Sequence, residues 1–421
     1  MDSVEENNEI SDLVYKILNN FLNKEYGQGK YKYDIKGATK KGDNYLGVVY
    51  RVTIKMLDNE ENRHQLILKV PPQNLLRREK FFARPVFLRE ALAFEKFFPL
   101  ISDFQQAKGL SIQESFHEYP KYKFSSTDYM NEVICMDDLQ PQGFYLFDRF
   151  APLTYDHVTI LMRIYGKLHA TSLVIKDENP ELLSELQKMQ DIFVQQKDYE
   201  PLNNYFESLK VNVLECIDKQ REHDYWSKLN EYLKSATIFE LMLSILDSKS
   251  SEPYSVICHG DCWINNIMFK YENDRIKDAC LIDWQIMRYA SPVIDLMYFL
   301  MCCTTGEFRQ KYFQSMIDIY HKSATDHIKR LGADAEKLYS RISLDKELRG
   351  KGAIGLLFAT FVLPILTTRS EDVPDLEILS EKVAAGQTID IKDSGIHGEN
   401  AILYNKRMHD VVTDTVDYGW I

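Results

Sequence analysis

The stretch Ser255–Gln285, SVICHGDCWINNIMFKYENDRIKDACLIDWQ, constrains this chain more than any other. A short β-branched and apolar run leads into His259-Gly260-Asp261, and a tight segment, Cys262 to Asn265, ends at Asn266. A second apolar run, Ile267–Tyr271, precedes the polar turn Glu272-Asn273-Asp274-Arg275, and a third run ends at Asp283. Short apolar runs bounded by turn residues read as strands. Three short strands around one loop are expected to bring Asp261, Asn266 and Asp283 to the same end of a hairpin.

Two carboxylates and a carboxamide gathered in this way suit transfer of a phosphoryl group from a nucleotide. Catalysis there is mostly positioning and charge neutralisation. In that reading Asp261 accepts the proton of the attacking hydroxyl. Asn266 and Asp283 hold Mg2+ through oxygen atoms, the hard ligands this ion takes. The order Asp, five residues to Asn, then strand–turn–strand to Asp is that of kinase catalytic and metal-binding segments. Two plainer readings compete. His-Gly-Asp can be an ordinary turn capped by Asp261. Cys258, His259, Cys262 and Cys280 can be taken as a zinc set, although the spacing is not C-x₂-C and alternating strands would scatter the thiols. His259 reads as a structural group that bonds loop backbone rather than as a base.

At 421 residues the chain exceeds the size at which one hydrophobic core stays single, so two lobes are expected, divided as 1–136 and 137–421. The net charge of −12 argues against a nucleic-acid-binding surface. It also means that an anionic nucleotide needs a local basic pocket and a metal to enter. Seven cysteines without framework spacing, several within apolar runs, read as reduced buried thiols. The acidic start MDSVEENNEI does not read as a signal peptide. The apolar run Ala353–Leu366 is too short to span a bilayer and contains Gly355 and Pro364. The expectation is a cytoplasmic protein with no membrane, no nucleic acid and no obligate protein partner.

The rest of the chain supplies candidates for the other side of a nucleotide site. Ile10, Leu13, Val14, Ile17, Leu18 and Phe21 fall at helical spacing, which predicts an N-terminal helix. Residues 31–70 read as a β-meander. Its first turn, Lys41 to Gly47, is polar and bracketed by Gly42 and Gly47 around Asn44, so its backbone N–H groups can approach phosphates. Lys69 sits inside the apolar strand Leu66-Ile67-Leu68-Lys69-Val70, where burial is costly without a partner. A nucleotide phosphate and a helix glutamate would supply one. Glu90, in the helix expected over 85–98, is the candidate, with Glu95 the runner-up. The run Val133–Met136 turns abruptly acidic at Asp137-Asp138-Leu139, which suits a hinge. Backbone groups from Met136 through Asp137 to Leu139 are placed to bond an adenine edge.

A strong helix is expected over Asp156–Ser172, with His169 as a core histidine, and the helical stretch 178–250 is a natural wall for an acceptor pocket. Asp295 is expected to begin a helix and brace the catalytic loop. Only about a dozen residues separate Asp283 from that helix. This is too few for a peptide-docking segment, which favours a small-molecule acceptor. The tail reads as helices over Glu307–Leu331, Leu344–Leu366 and Ala401–Val416, with a polar link near Asp372–Ser394.

These residues resemble the ecdysteroid kinase-like family of arthropods, which is similar in fold to choline kinases and aminoglycoside phosphotransferases. The resemblance rests on His259-Gly260-Asp261-Cys262-Trp263, Asn266, Met268-Phe269, Leu281-Ile282-Asp283-Trp284-Gln285 and Asp295-Leu296. Lys69, Arg89-Glu90 before Pro99, Asp137-Asp138-Leu139 and Leu168-His169-Ala170 support it. Trp284 stands where the family more often has Phe, and Asp137 where Glu is usual. The resemblance implies an α+β bilobal protein-kinase-like fold, with a small β-rich lobe and a larger mainly helical one. It implies ATP and Mg2+ as cofactors, Asp261 as base, Asn266 and Asp283 as metal ligands, and Lys69 as phosphate anchor with Glu90 as its partner. The implied acceptor is an alcohol on a small lipophilic molecule, such as an ecdysteroid or a hydroxylated plant toxin. A choline- or aminoglycoside-type kinase and a nucleotide-binding scaffold without catalysis stay open beside it.

Overall fold

The computed structural model describes residues 10–38, 47–59, 61–80, 82–369, 371–372 and 396–421. Its architecture is α+β. Strands β1 (Tyr31–Gly37), β2 (Val48–Met56), β3 (Arg63–Val70), β4 (Tyr122–Ser126) and β5 (Val133–Asp137) form an antiparallel sheet in the order β1-β2-β3-β5-β4. Alternation along β2 turns Tyr50, Val52 and Ile54 to one face. There they share a core with Leu66 and Leu68 of β3 and with Val14, Leu18 and Leu22 of the helix Asp12–Tyr26. Leu13 lies off this i, i+4, i+8 line and is exposed. The same alternation turns Val49, Arg51, Ile67 and Lys69 to the opposite face, toward a cleft.

The helix expected over 85–98 is longer and interrupted. It runs Ala83–Leu92, widens into a π turn at Ala93–Phe97, and continues as Phe98–Ala107. Pro99 has no N–H to give the α-helical ladder. Just before it, Phe98 N–H donates five residues back to Ala93 O, and the wide turn accommodates the missing bond. Phe94, Phe97 and Phe98 are all buried as a result.

The hairpin reading needs one correction. Strands β8 (Ile267–Glu272) and β9 (Arg275–Leu281) do pair, with β6 (Phe144–Leu146) on the outer side of β8. However, β7 (Val256–Cys258) pairs with β10 (Arg288–Ala290) in a separate two-stranded sheet. The reason lies at Gly260, whose φ of +84° turns the chain out of the β7 direction. A Cβ at Gly260 would lie 2.2 Å from Ile286 O, so the loop and the segment before β10 touch through backbone.

The larger core is helical. The helix Tyr155–Glu178, capped by Thr154, lies along Gly306–Arg330, and Val293–Cys303 is buried along its whole length. The tail helix expected over Leu344–Leu366 is two helices, Arg341–Lys351 and Ile354–Thr367, bent by 58°. Trp420 packs where a side chain on Gly352 would stand, and the chain turns there. The last helix is Gly398–Asp417. Six cysteines are buried, Cys216 is half-buried, and all seven are free thiols. No single helix among the described residues is long and apolar enough to cross a membrane.

His327 ties two of these helices together, its Nε2 lying 3.1 Å from Thr171 Oγ1. Burial, with Lys167 and Arg330 nearby, holds its imidazole down at about 3. An unfolded histidine titrates near ~6.5. The unfolded chain therefore binds the extra proton as pH falls from that value, and folding stability drops. For this group alone the loss is about 2 kcal/mol between pH 7 and pH 5. Urea unfolding at the two pH values should show a drop smaller by about that amount in His327→Gln.

Candidate active site

Lys69 is the centre of the site. It is 6% exposed, and its ammonium donates to Glu90 Oε2 at 2.6 Å and to Asp283 Oδ1 at 2.5 Å. Burial alone would lower its pKa, but the charges of Asp283 and Glu90 outweigh it, and the ammonium is held above its ordinary value. Glu90 reaches it from the Ala83–Leu92 helix and also accepts from Trp284 N–H at 3.3 Å. Glu95, the runner-up, faces Ser125 instead. The Asp283 contact was not foreseen. Asp283 has φ +65°, an uncommon conformation for a residue with a side chain, and such backbone concentrates at functional sites.

Asp261 follows the Gly260 turn, and its carboxylate is held by two donors. Asn266 Nδ2 donates to Oδ2 at 2.9 Å, and Tyr298 Oη donates to Oδ1 at 2.8 Å. Burial, with the charge of Asp283, raises the carboxyl to about 7, and these two bonds oppose the shift. Asn266 spends its amide nitrogen on Asp261, which leaves its oxygen as the free ligand atom. That oxygen and the Asp283 carboxylate are the hard donors a magnesium ion takes, and both residues line one cavity.

The loop itself is braced from below. Asp295 accepts from His259 N–H at 2.8 Å and from Gly260 N–H at 2.9 Å, and pairs with His169 Nε2 at 3.1 Å. Burial works against its charge, but the His169 bond and the backbone bond outweigh it and hold the carboxyl below its usual range. His259 is neutral: burial lowers it, against the pull of Asp295. Its Nε2–H donates to Ile282 O at 3.0 Å and its Nδ1 accepts from Asp261 N–H at 3.2 Å. With both nitrogens bound to backbone, it has no lone pair left for a substrate proton. The zinc set of Cys258, His259, Cys262 and Cys280 is not assembled. Among the described residues the grouping of that kind is His169, Cys258 and Asp295, and Asp295 is already spent on the brace.

The cavity is open at its mouth. Val49 and Ile67 of the sheet form one apolar wall, and Met268 and Ile282 form the other. Lys69, Glu90, Asn266 and Asp283 lie in the same lining, together with Met136, Asp137 and Leu139. The lining thus combines apolar side chains with a charged cluster. Asp137 N–H is taken by Lys121 O and Asp138 N–H by Gln65 O. Leu139 N–H donates to no group among the described residues. Arg51 bonds Asp138 and Gln140. Gly47 is buried at the start of β2, while Gly42 and Asn44 lie outside the described residues.

Two residues beside Asp261 were missed. Tyr298 sits in an apolar helix where it reads as core, and nothing local marks its hydroxyl. Arg288 is 1% exposed, lies 3.2 Å from Asp191, and is flanked by the rings of Phe193 and Phe358. An arginine inside the short run Ile286–Ala290 was the available signal, by the same reasoning that singled out Lys69.

No curated protein matches the chain. Among solved structures, a putative aminoglycoside phosphotransferase from Ralstonia eutropha is 12% identical, with TM-score 0.43, covering 95% of this chain and 98% of its own. The GDP complex of aminoglycoside 2′-phosphotransferase-IIIa is also 12% identical, with TM-score 0.43 and coverages of 93% and 98%. An AMP-bound spectinomycin phosphotransferase is 13% identical, with TM-score 0.34 and coverages of 82% and 93%. The model of the ecdysteroid kinase-like family matches residues 41–333, and the chain belongs to that family of kinase-like phosphotransferases.

Proposed function

We propose that the protein transfers the γ-phosphoryl group of ATP to a hydroxyl of a small lipophilic alcohol, an ecdysteroid or a hydroxylated xenobiotic, with Mg2+ as cofactor. The observation that carries this reading is the buried Lys69 ammonium held between Glu90 and Asp283 in the cavity that Asn266 also lines. In the proposed arrangement residues 1–136 supply the phosphate anchor and the roof of the base slot, and 137–421 the loop chemistry and acceptor pocket. Lys69 binds the α/β-phosphates, and Leu139 N–H with a hinge carbonyl from Met136 or Asp137 meets the adenine edge. The loop Gly42, Asn44 and Gly47 covers the phosphates.

Asp261 receives the proton of the acceptor hydroxyl as its oxygen attacks phosphorus. Tyr298 and Asn266 fix the carboxylate so that its remaining lone pairs face the acceptor. Asn266 Oδ1 and the Asp283 carboxylate would hold Mg2+, which supplies positive charge against the phosphate oxygens.

The lipophilic acceptor is proposed on the family to which the chain belongs. The test is incubation with labelled Mg·ATP and a panel of hydroxylated steroids and plant toxins, with choline and kanamycin as cationic comparisons. Mass spectrometry then looks for an added phosphate. Phosphate on a neutral lipophilic alcohol is expected. Transfer to the cationic acceptors alone, or Mg·ATP binding without transfer to any alcohol, would overturn the reading.

A further inference from the structure

Arg89 stands next to Glu90 and reaches the other way. Its guanidinium is 6% exposed, donating from Nη1 to Met287 O at 3.0 Å and from Nη2 to Gln190 O at 2.5 Å. Met287 lies four residues beyond Asp283, and Gln190 lies in the helical stretch that precedes β7. One side chain of the Ala83–Leu92 helix therefore grips two separate segments of the larger part of the molecule.

Stability does not explain this grip. Both acceptors are neutral carbonyls, and burying a guanidinium against them gains little over an apolar side chain of similar volume. Burial, opposed by Asp191 and reinforced by Arg288, lowers the Arg89 pKa to about 10. What the contact does fix is rotation. Neighbouring helix residues point about 100° apart. With Arg89 anchored, Glu90 has one direction available, and that direction is Lys69. Kinases in general need this Lys–Glu pair in place, and the position of the glutamate helix controls it.

We propose that Arg89 is a positioning residue for nucleotide binding, a latch through which Met287 and the Gln190 segment hold Glu90 on Lys69. The helix is thereby kept in the competent position by the chain itself rather than by a modification or a partner. This role rests on the nucleotide reading given above.

The test is Mg·ATP affinity by isothermal titration calorimetry, which needs no acceptor, on wild type, Arg89→Met, Arg89→Lys, Glu90→Gln and the Arg89→Met/Glu90→Gln double variant. Arg89→Met is expected to bind about 10-fold more weakly. Arg89→Lys, which keeps one charged donor, recovers part of the loss. Because Arg89 acts through Glu90, the double variant should bind no more weakly than Glu90→Gln alone. A merely structural role would lower the melting temperature and leave this non-additivity absent. Unchanged affinity in Arg89→Met, or fully additive losses, would overturn the latch while leaving the nucleotide site standing. If Arg89→Met does not fold, unchanged affinity in Arg89→Lys overturns it equally. Failure of the wild type to bind Mg·ATP would overturn the nucleotide reading first, and the latch with it.

Discussion

Asp261→Asn is expected to lower phosphate transfer by about 10²–10⁴-fold, the usual worth of a positioned proton acceptor, with Mg·ATP affinity within about twofold of wild type. Asparagine has the same shape as aspartate. Its oxygen can still accept from Tyr298 or from Asn266, so the loop geometry set by Asp295 and Gly260 survives. What it cannot do is take the hydroxyl proton. The loss should therefore fall on kcat rather than on the KM for ATP. The measurement is ADP release with the best alcohol from the panel, beside a direct nucleotide titration. Wild-type turnover in this variant would remove Asp261 from the chemistry.

Lys69→Met has the largest expected effect on both folding and binding. It strands Glu90, 1% exposed, beside Asp283 with no cation between them. Removing one partner of a buried ion pair costs about 3–5 kcal/mol, because the remaining charge is uncompensated. Urea unfolding should show that loss, and Mg·ATP binding should fall by at least about 100-fold as the phosphate anchor goes. Adding Glu90→Gln separates the two effects. The double variant should regain more than half of the lost stability, since one stranded charge is gone, and regain none of the affinity. Recovery of ATP binding in the double variant would show that Lys69 matters for folding alone.

Lys69, Glu90, Asn266 and Asp283 line one cleft and Asp261 is bonded to Asn266, and for the loop residues the physical reason is locality. Asp261, Asn266 and Asp283 lie on one continuous stretch whose turns are written in Gly260 and in Asn273-Asp274. Lys69 was visible because a charge in an apolar strand demands partners. The family and the α+β architecture were legible through the resemblance that these motifs carry. What stayed hidden depends on distant contacts. Nothing near Tyr298 indicates that its hydroxyl ends on a carboxylate 37 residues earlier. The pairing of β7 with β10 follows from the backbone contact of Gly260 with Ile286, which no periodicity encodes. Likewise Asp283 reaching Lys69 joins residues 214 apart in sequence. The break near Gly352 is set by Trp420, almost at the other end of the tail.

The wide turn at Ala93–Phe97 makes residue count, and not residue type alone, part of the site's specification. Wind the same residues into an ordinary spiral and everything upstream is screwed round by about 100° against the anchored Phe98. The glutamate would then look away from its lysine, although every amino acid was kept. Chains of this kind that lack the extra residue must carry their acid one place along, and an alignment that forbids a gap at this point will pair it with the wrong neighbour.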